Sequence, residues 1–483
     1  MNFEDFGRIE SRRRFLQDWA GGVGTIALWH LLALEGRAAS ASEGLPSANP
    51  LQPKPPHFAP KARNVIFLFM AGGPSQIDLF DPKPEMKKWD GQPLPESMRG
   101  GLRFAFIKPS SKIWASPRVF ARHGQSGMEF CDWLPHLATR ADDICMIRSV
   151  HSEVFNHHPA QLMLNCGSPL VGRPAMGAWV TYGLGSESQN LPGFVVLRTG
   201  EGNSAGTGNW TSGFLPSSFQ GVPFRNNGEP VLYLSNPPGV SRNTQQARLA
   251  AIRDLNELQY LDAKDLEIAS RVASYELAFR MQSAAPELMD FSRESAHTLE
   301  AYGVNKEPTR PFATNCLLAR RLVERGVRFV ALLHGSWDDH ADLSRNLKKN
   351  CEIIDQPTAA LLKDLKQRGL LDTTLVIWGG EFGRTPMVEN RRPVVEKETW
   401  GRDHHPAAFS MWMAGGGTKG GQVVGKTDDF GFHILEDKVI IHDLHATILH
   451  CLGLNHERLT FRSQGRDFRL TDVAGQVVSK LLG

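Results

Sequence analysis

The sequence predicts an α/β protein whose mostly parallel central sheet carries helices on both faces, in three layers. Three observations predict it. Continuous apolar runs at Asn64–Met70 (NVIFLFM), Val327–Leu333 and Thr374–Trp378 read as strands buried on both faces. Between them lie segments with apolar residues three and four apart, such as Phe312–Arg325 and Gln356–Gly369, which read as helices. Strands and helices in alternation imply parallel pairing through helical crossovers.

The chain opens with Ser11-Arg12-Arg13-Arg14-Phe15-Leu16-Gln17, which resembles the twin-arginine export motif and departs from it at Gln17, where lysine is usual. A weakly apolar stretch, Trp19–Leu34, and the small residues Ala39-Ser40-Ala41 complete a signal peptide over residues 1–41. The expected mature chain begins near Ser42, outside the cytoplasm (periplasmic or extracellular), with the twin-arginine machinery as a partner. The apolar stretch is too short and interrupted for a stable membrane span. Net charge is +3 and the charged residues of both signs are interspersed, so nothing calls for a nucleic-acid partner. The six cysteines show no paired spacing and read as buried free thiols.

Residues 42–61, rich in Pro, Ser and Ala, read as a flexible lead-in to a single domain over 62–483. The first strand breaks at Ala71-Gly72-Gly73-Pro74 and runs into Ser75-Gln76-Ile77-Asp78. Residues 84–130 look irregular, Asp132–Arg140 helical, and Ile144–Val150 a strand ending in His151. Asn156-His157-His158-Pro159 then opens a helix through Leu164, and Phe194–Leu197 is another strand. Residues 198–240, dominated by Gly, Pro, Asn and Ser, read as a long loop. Gln245–Ala301 reads as a helical hairpin with a packing role, so residues from about 198 to 310 form an insertion. Later come a strand at Ala408–Met413 and a final helix through Leu452 with Asp443 as its expected N-cap.

The chemistry concentrates at the expected carboxyl edge of the sheet. Asp338 and His340 are two apart just after one strand, so in extended chain they share a side. Glu381 ends the next strand, and His404 and His405 follow in a loop. These five are the expected ligands of a divalent ion, zinc, manganese or calcium, that would activate water and polarise an ester oxygen. Arg384 and Arg402 are placed to fork onto an anionic substrate, and His157 and His158 to give acid–base or nucleophilic help. Ser75 and Asp78 are the expected substrate-binding positions. Structural roles stay open beside these: Glu381 with Arg384 as a salt bridge, Asp403 orienting His404, and Asp78 as a turn residue.

The first strand with its glycine turn (NVIFLFMAGG), the LVIWGGEFG segment and the final IHDLHATILHCLGL resemble the alkaline phosphatase superfamily, above all its sulfatase branch. GGPSQIDLFDPKP, the Trp-Asp-x-His turn, GGEFGRTP and GRDHHP are similar over nearly the whole chain to an exported group catalogued as domain of unknown function fifteen-oh-one. The resemblance implies an alkaline phosphatase-like fold, a metal centre and hydrolysis of sulfate or phosphate esters, small or polysaccharide. The chain departs from the superfamily where a first-strand Asp ligand gives way to Ala71-Gly72-Gly73, and an Asp-His pair to Glu381-Phe382. The superfamily's nucleophile position falls near His157; Ser149 and Ser152 are the nearby hydroxyls. Two expectations follow: a metal-dependent ester hydrolase, or a degenerate member that binds without cutting.

Overall fold

The computed structural model describes residues 49–96, 105–108, 110–226, 228–263, 265–391 and 396–483. The twin-arginine segment and its cleavage stretch lie outside them. In chain order come β1 (Asn64–Met70), the single turn α1 (Gln76–Leu79), β2 (Ile144–His151), α2 (His157–Cys166) and α3 (Met176–Leu184). Next are β3 (Phe194–Thr199), β4 (Val222–Phe224), α4 (Arg242–Ala263), α5 (Leu266–Met289) and α6 (Arg310–Glu324). Then follow β5 (Phe329–His334), α7 (Leu343–Gln367), β6 (Thr374–Gly379), β7 (Gly383–Glu389) and β8 (Gly401–His405). The chain closes with β9 (Phe409–Ala414), β10 (Gln422–Val424), β11 (Val439–Ile440) and α8 (Ile441–Cys451).

Among the described residues nine strands form the main sheet, in the order β10-β2-β9-β6-β1-β5-β3-β4, with β11 also on β2. Only β9 runs antiparallel to its neighbours. Every residue of β1, β5 and β6 is buried, so both faces of the sheet's centre are covered. The register sets the functional edge: Met70 lies opposite His334, Phe69 opposite Gly379, and Thr199 opposite His334. Four parallel strands therefore release their chains at one level.

The sheet belongs to a compact unit made of Leu51–Leu232 and Ser283–Gly483. A second unit includes Tyr233–Gln282, with Arg242 over the Phe279 ring at 4.9 Å. In α4 the residues expected to pack, Leu255, Leu258 and Leu261, are exposed.

Several boundaries differ from the sequence expectation. Within 198–240, β4 adds a parallel strand beside β3. Phe120–His123 pairs with Met128–Cys131 in a hairpin where an irregular stretch was expected, and only Pro135–Ala138 is helical after it. Helix α7 starts at Leu343 rather than Gln356 and continues through Pro357, because its buried stripe (Leu347, Cys351, Ile354, Leu361, Leu365) extends in both directions. Helix α8 starts at Ile441, and Asp443, inside its first turn, accepts the Ile440 N–H at 3.2 Å. All six cysteines are buried with free thiols.

Candidate metal centre

Strand β5 ends at His334, and the chain then turns through Ser336, a non-glycine residue in the left-handed region (φ 76°). This turn brings Asp338 to the middle of the sheet edge. Gly72, at the end of β1, makes room for it: with φ 123°, a Cβ there would sit 2.6 Å from the Asp338 backbone nitrogen.

Three imidazoles converge on one oxygen of Asp338. Oδ1 lies 2.9 Å from His340 Nε2, 3.1 Å from His157 Nε2 and 3.3 Å from His404 Nε2. Arg384 Nη2 reaches the same oxygen at 2.9 Å. The ligand-capable atoms of the four residues all lie within 4.8 Å of one another. Asp338 itself is exposed, while His340 and His404 are buried behind it.

Each imidazole is held from behind at Nδ1. His157 Nδ1 lies 2.7 Å from Glu381 Oε1, and His404 Nδ1 lies 2.7 Å from the Phe155 carbonyl. His340 Nδ1 meets the Glu389 carboxylate. An acceptor at every Nδ1 favours a proton there, so a ring that gives up its Nε2 proton directs that lone pair inward, as metal-binding histidines are oriented. The Phe106 ring stands edge-on to His340 and His404, with centroids at 5.3 and 5.5 Å.

Charge in this cluster is unevenly placed. Burial opposes ionisation of Asp338, but the three histidines at its Oδ1 and the Arg384 charge outweigh it and hold the carboxyl well below the usual range. Burial likewise disfavours a charged His157, yet Asp338 and Glu381 together lift it to about 9. Burial pushes His404 down to about 3. His157 Nε2 is within ion-pair distance of Asp338 but makes no hydrogen bond, so a buried nitrogen stays without one among the described residues. That orphaned atom, the inward lone pairs and a three-nitrogen, one-oxygen donor set fit a divalent ion.

The structure sorts the residues expected at this edge. Asp338, His340, His404 and His157 come together. Glu381, expected as a ligand, stands one layer back: its fully buried carboxylate accepts the Gly72 N–H at 3.0 Å, Gln161 Nε2 at 3.1 Å and His157. His404 and His405 lie on strand β8 of a hairpin with β7, not in a loop. Successive strand residues face opposite sides, so His405 turns away and its Nε2 meets the Phe432 carbonyl at 2.8 Å.

The two arginines expected to grip a substrate are fully buried. Arg384 donates to the carbonyls of Gly73 at 2.8 Å, Arg402 at 3.0 Å and Trp337 at 3.1 Å, and to Gly72. Arg402 pairs with Asp78 at 2.9 Å, donates to the Trp114 carbonyl at 2.9 Å and stacks over the Trp114 ring. Asp78 also accepts from Ser75 Oγ at 2.6 Å, so the expected substrate-binding pair forms a buried structural knot with Arg402. His158 is exposed and hydrogen-bonds the Ser204 carbonyl at 3.1 Å. Ser149 Oγ is spent on the Asp437 carbonyl at 2.5 Å, and Ser152 is buried.

Sequence reasoning missed Glu389 and Gln161. Glu389 falls behind His340 through the β7–β8 hairpin, whose register shifts opposite Pro386 and leaves no regular alternation to follow. Gln161 sits one helical turn after His157 and also accepts the Ala205 N–H at 3.0 Å, tying the loop after β3 to Glu381.

A cleft of about 690 Å³ opens beside the cluster, lined on that side by Gly72, His157 and Asp338. Lys349 and Asn350 of α7 and the Thr199–Gly202 turn also line it. Fold and site together define a mostly parallel α/β protein with a candidate divalent-metal centre at the carboxyl edge of its sheet. The chain belongs to the family described as "Protein of unknown function (DUF1501)", whose model matches residues 62–482. Among solved structures it is similar to the lipoteichoic acid synthase LtaP from Listeria monocytogenes, at 10% identity over 87% of this chain and 78% of that one, with TM-score 0.34. It is similar to the PsFucS1 sulfatase from Pseudoalteromonas sp., at 12% identity over 82% and 68%, with TM-score 0.35. It is also similar to a protein in the alkaline phosphatase superfamily from Vibrio parahaemolyticus, at 12% identity over 88% and 75%, with TM-score 0.34. No curated protein matches the sequence.

Proposed function

We infer that this protein is an exported, metal-dependent hydrolase of an anionic ester, a sulfate or a phosphate. The observation that carries this reading is the convergence of three Nε2 atoms on Asp338 Oδ1 within 3.3 Å, each ring held at Nδ1 by an acceptor. His157, His340, His404 and Asp338 would hold the ion. Three imidazoles to one carboxylate suit zinc or manganese and suit calcium poorly, since calcium takes oxygen donors. Such an ion, when bound, supplies Lewis acidity toward an ester oxygen and lowers the pKa of water. Glu381 fixes the proton at His157 Nδ1, Arg384 balances the charge of Asp338, and Phe106 packs edge-on against the His340 and His404 rings. The twin-arginine motif at residues 11–17 supports passage through that export machinery to the periplasm or beyond.

A second reading has its own support. Both candidate arginines are buried, the hydroxyls of Ser149 and Ser152 are engaged by the Asp437 carbonyl and the Val154 N–H, and Lys349 is the one Lys or Arg side chain lining the cleft among the described residues. That pattern favours a metal-holding protein that binds an anionic ligand without cutting it. Assay of sulfate and phosphate esters on zinc- and manganese-loaded protein, with and without chelator, separates the two. Turnover that chelation abolishes supports the hydrolase. Metal-loaded, folded protein that releases neither anion supports the binding protein and rules out the hydrolase.

A further inference from the structure

The cleft beside the cluster contains a histidine to which the proposed mechanism gives no task. His334, the last residue of β5, lines the cleft and is 3% exposed. Its Nδ1 lies 2.9 Å from the Thr199 hydroxyl, while its Nε2 is buried with no hydrogen-bond partner among the described residues. A nitrogen left without a partner in a buried position costs stability, and one that lines a cleft can recover that cost from a bound group. Burial holds this imidazole down to about 4, so the ring is neutral at working pH and offers no attraction to a sulfate or phosphate group. It is four residues from Asp338 and outside the converging set.

The Thr199 hydroxyl can donate or accept, so His334 can adopt either tautomer. The partner that satisfies both is a group that is itself donor and acceptor, which a neutral hydroxyl is. The lining of the cleft is mixed: Pro308, Pro311, Phe312 and Ile353 give it apolar surface, with the Phe312 ring edge-on to His334 at 5.1 Å between centroids, and Asn350 gives it an amide. Apolar surface beside polar groups suits a ring with a C–H face and hydroxyl edges. A cleft of about 690 Å³ is also far larger than a sulfate or phosphate group needs.

Resting on the hydrolase reading for the location of the reacting group, we propose that His334 determines specificity for the alcohol part of the ester, hydrogen-bonding through Nε2 to a hydroxyl of a sugar-like polyhydroxylated ring. His334 is a positioning residue and touches no reacting atom.

The test compares wild type, His334→Phe and His334→Gln, each fully metal-loaded and checked for melting temperature. Glucose 6-sulfate and glucose 6-phosphate serve as hydroxylated probes, and 4-nitrophenyl sulfate and 4-nitrophenyl phosphate as probes without alcohol hydroxyls. Hydrolysis is followed kinetically, and binding of the sugar esters by calorimetry, which does not need turnover. The expected result is a rise of about tenfold or more in KM or Kd for the sugar esters in His334→Phe, as for one lost hydrogen bond that leaves its partner buried. The nitrophenyl esters, kcat and metal content should stay within twofold, and His334→Gln should recover part of the loss. Equal changes for both ester classes, no change for either, or wild type that binds no sugar ester would overturn the proposal. Sugar esters bound through His334 but never cleaved would uphold it and sink the hydrolase reading; nitrophenyl turnover without sugar-ester binding would do the reverse.

Discussion

His157 Nδ1 and Glu381 Oε1 lie 2.7 Å apart, joining the first residue of α2 to the turn after β6. The carboxylate at that turn faces the back of an imidazole. Gly72 holds its other side, because the backbone N–H at the first-strand turn satisfies Glu381. On the proposed metal centre Glu381 would set a ligand rather than be one, and Glu381→Gln should retain a metal site of lower affinity. Loss of a partner behind a metal-bound histidine costs about 10–100-fold in affinity. Competition against a chromophoric chelator reads this directly; a variant with wild-type affinity would remove Glu381 from the site.

Metal uptake should depend on pH through His157. Raised to about 9 in the free protein, this imidazole carries a proton at pH 7 that it must lose to donate its lone pair. The sign follows: protons compete with the ion below that value, so apparent affinity rises with pH. The slope from pH 7 upward should approach about tenfold per unit and flatten near 9. In His157→Ala the slope over that window should fall, alongside weaker binding. An affinity flat from pH 7 to 9 in wild type would count against a ligand role for His157.

Adjacent histidines on one strand should behave oppositely. His404→Ala removes a nitrogen 3.3 Å from Asp338 and should strip the ion, whereas His405→Ala should keep it and lose stability instead. The His405 imidazole is buried against the Phe432 carbonyl, so truncation should cost about 1–3 kcal/mol. Metal analysis and denaturant unfolding on both variants check the contrast.

Asp78 and Arg402 hold the turn after β1 to the β7–β8 hairpin. Both side chains are buried, so Asp78→Asn leaves an uncompensated guanidinium and should cost about 3–5 kcal/mol. Burial opposes the Asp78 charge, but Arg402 outweighs it and holds the carboxyl below its ordinary value. A lowered carboxylate contributes stability that is complete above the unfolded-state value and is lost as pH falls through the folded one. The stability gap between wild type and Asp78→Asn should therefore be constant from pH 8 to 5 and shrink only below about 4. A gap that already narrows between pH 7 and 5 would contradict this assignment.

Much of the fold is legible in the sequence because β1, β5 and β6 are buried on both faces, and such strands must be written as continuous apolar runs. The gathering of Asp338 and His340 with the turn after β6 follows from parallel pairing alone. The hairpin is less legible. Its strand Gly383–Glu389 is buried yet polar, since Arg384 is satisfied by carbonyls of Gly72, Gly73, Trp337 and Arg402, and no pattern of side chains encodes backbone acceptors. With the hairpin unread, the alternation that separates His404 from His405 is lost, and so is Glu389 behind His340. The role of Arg402 is hidden for the same reason: its partner Asp78 is 324 residues away in the chain.

Elemental analysis of the purified protein beside an Asp338→Ala variant tests the metal centre most directly. About one equivalent of zinc or manganese in wild type, lost in folded Asp338→Ala, is the expected result. Metal-free wild-type protein after loading and desalting, or an ion retained unchanged without Asp338, would contradict it.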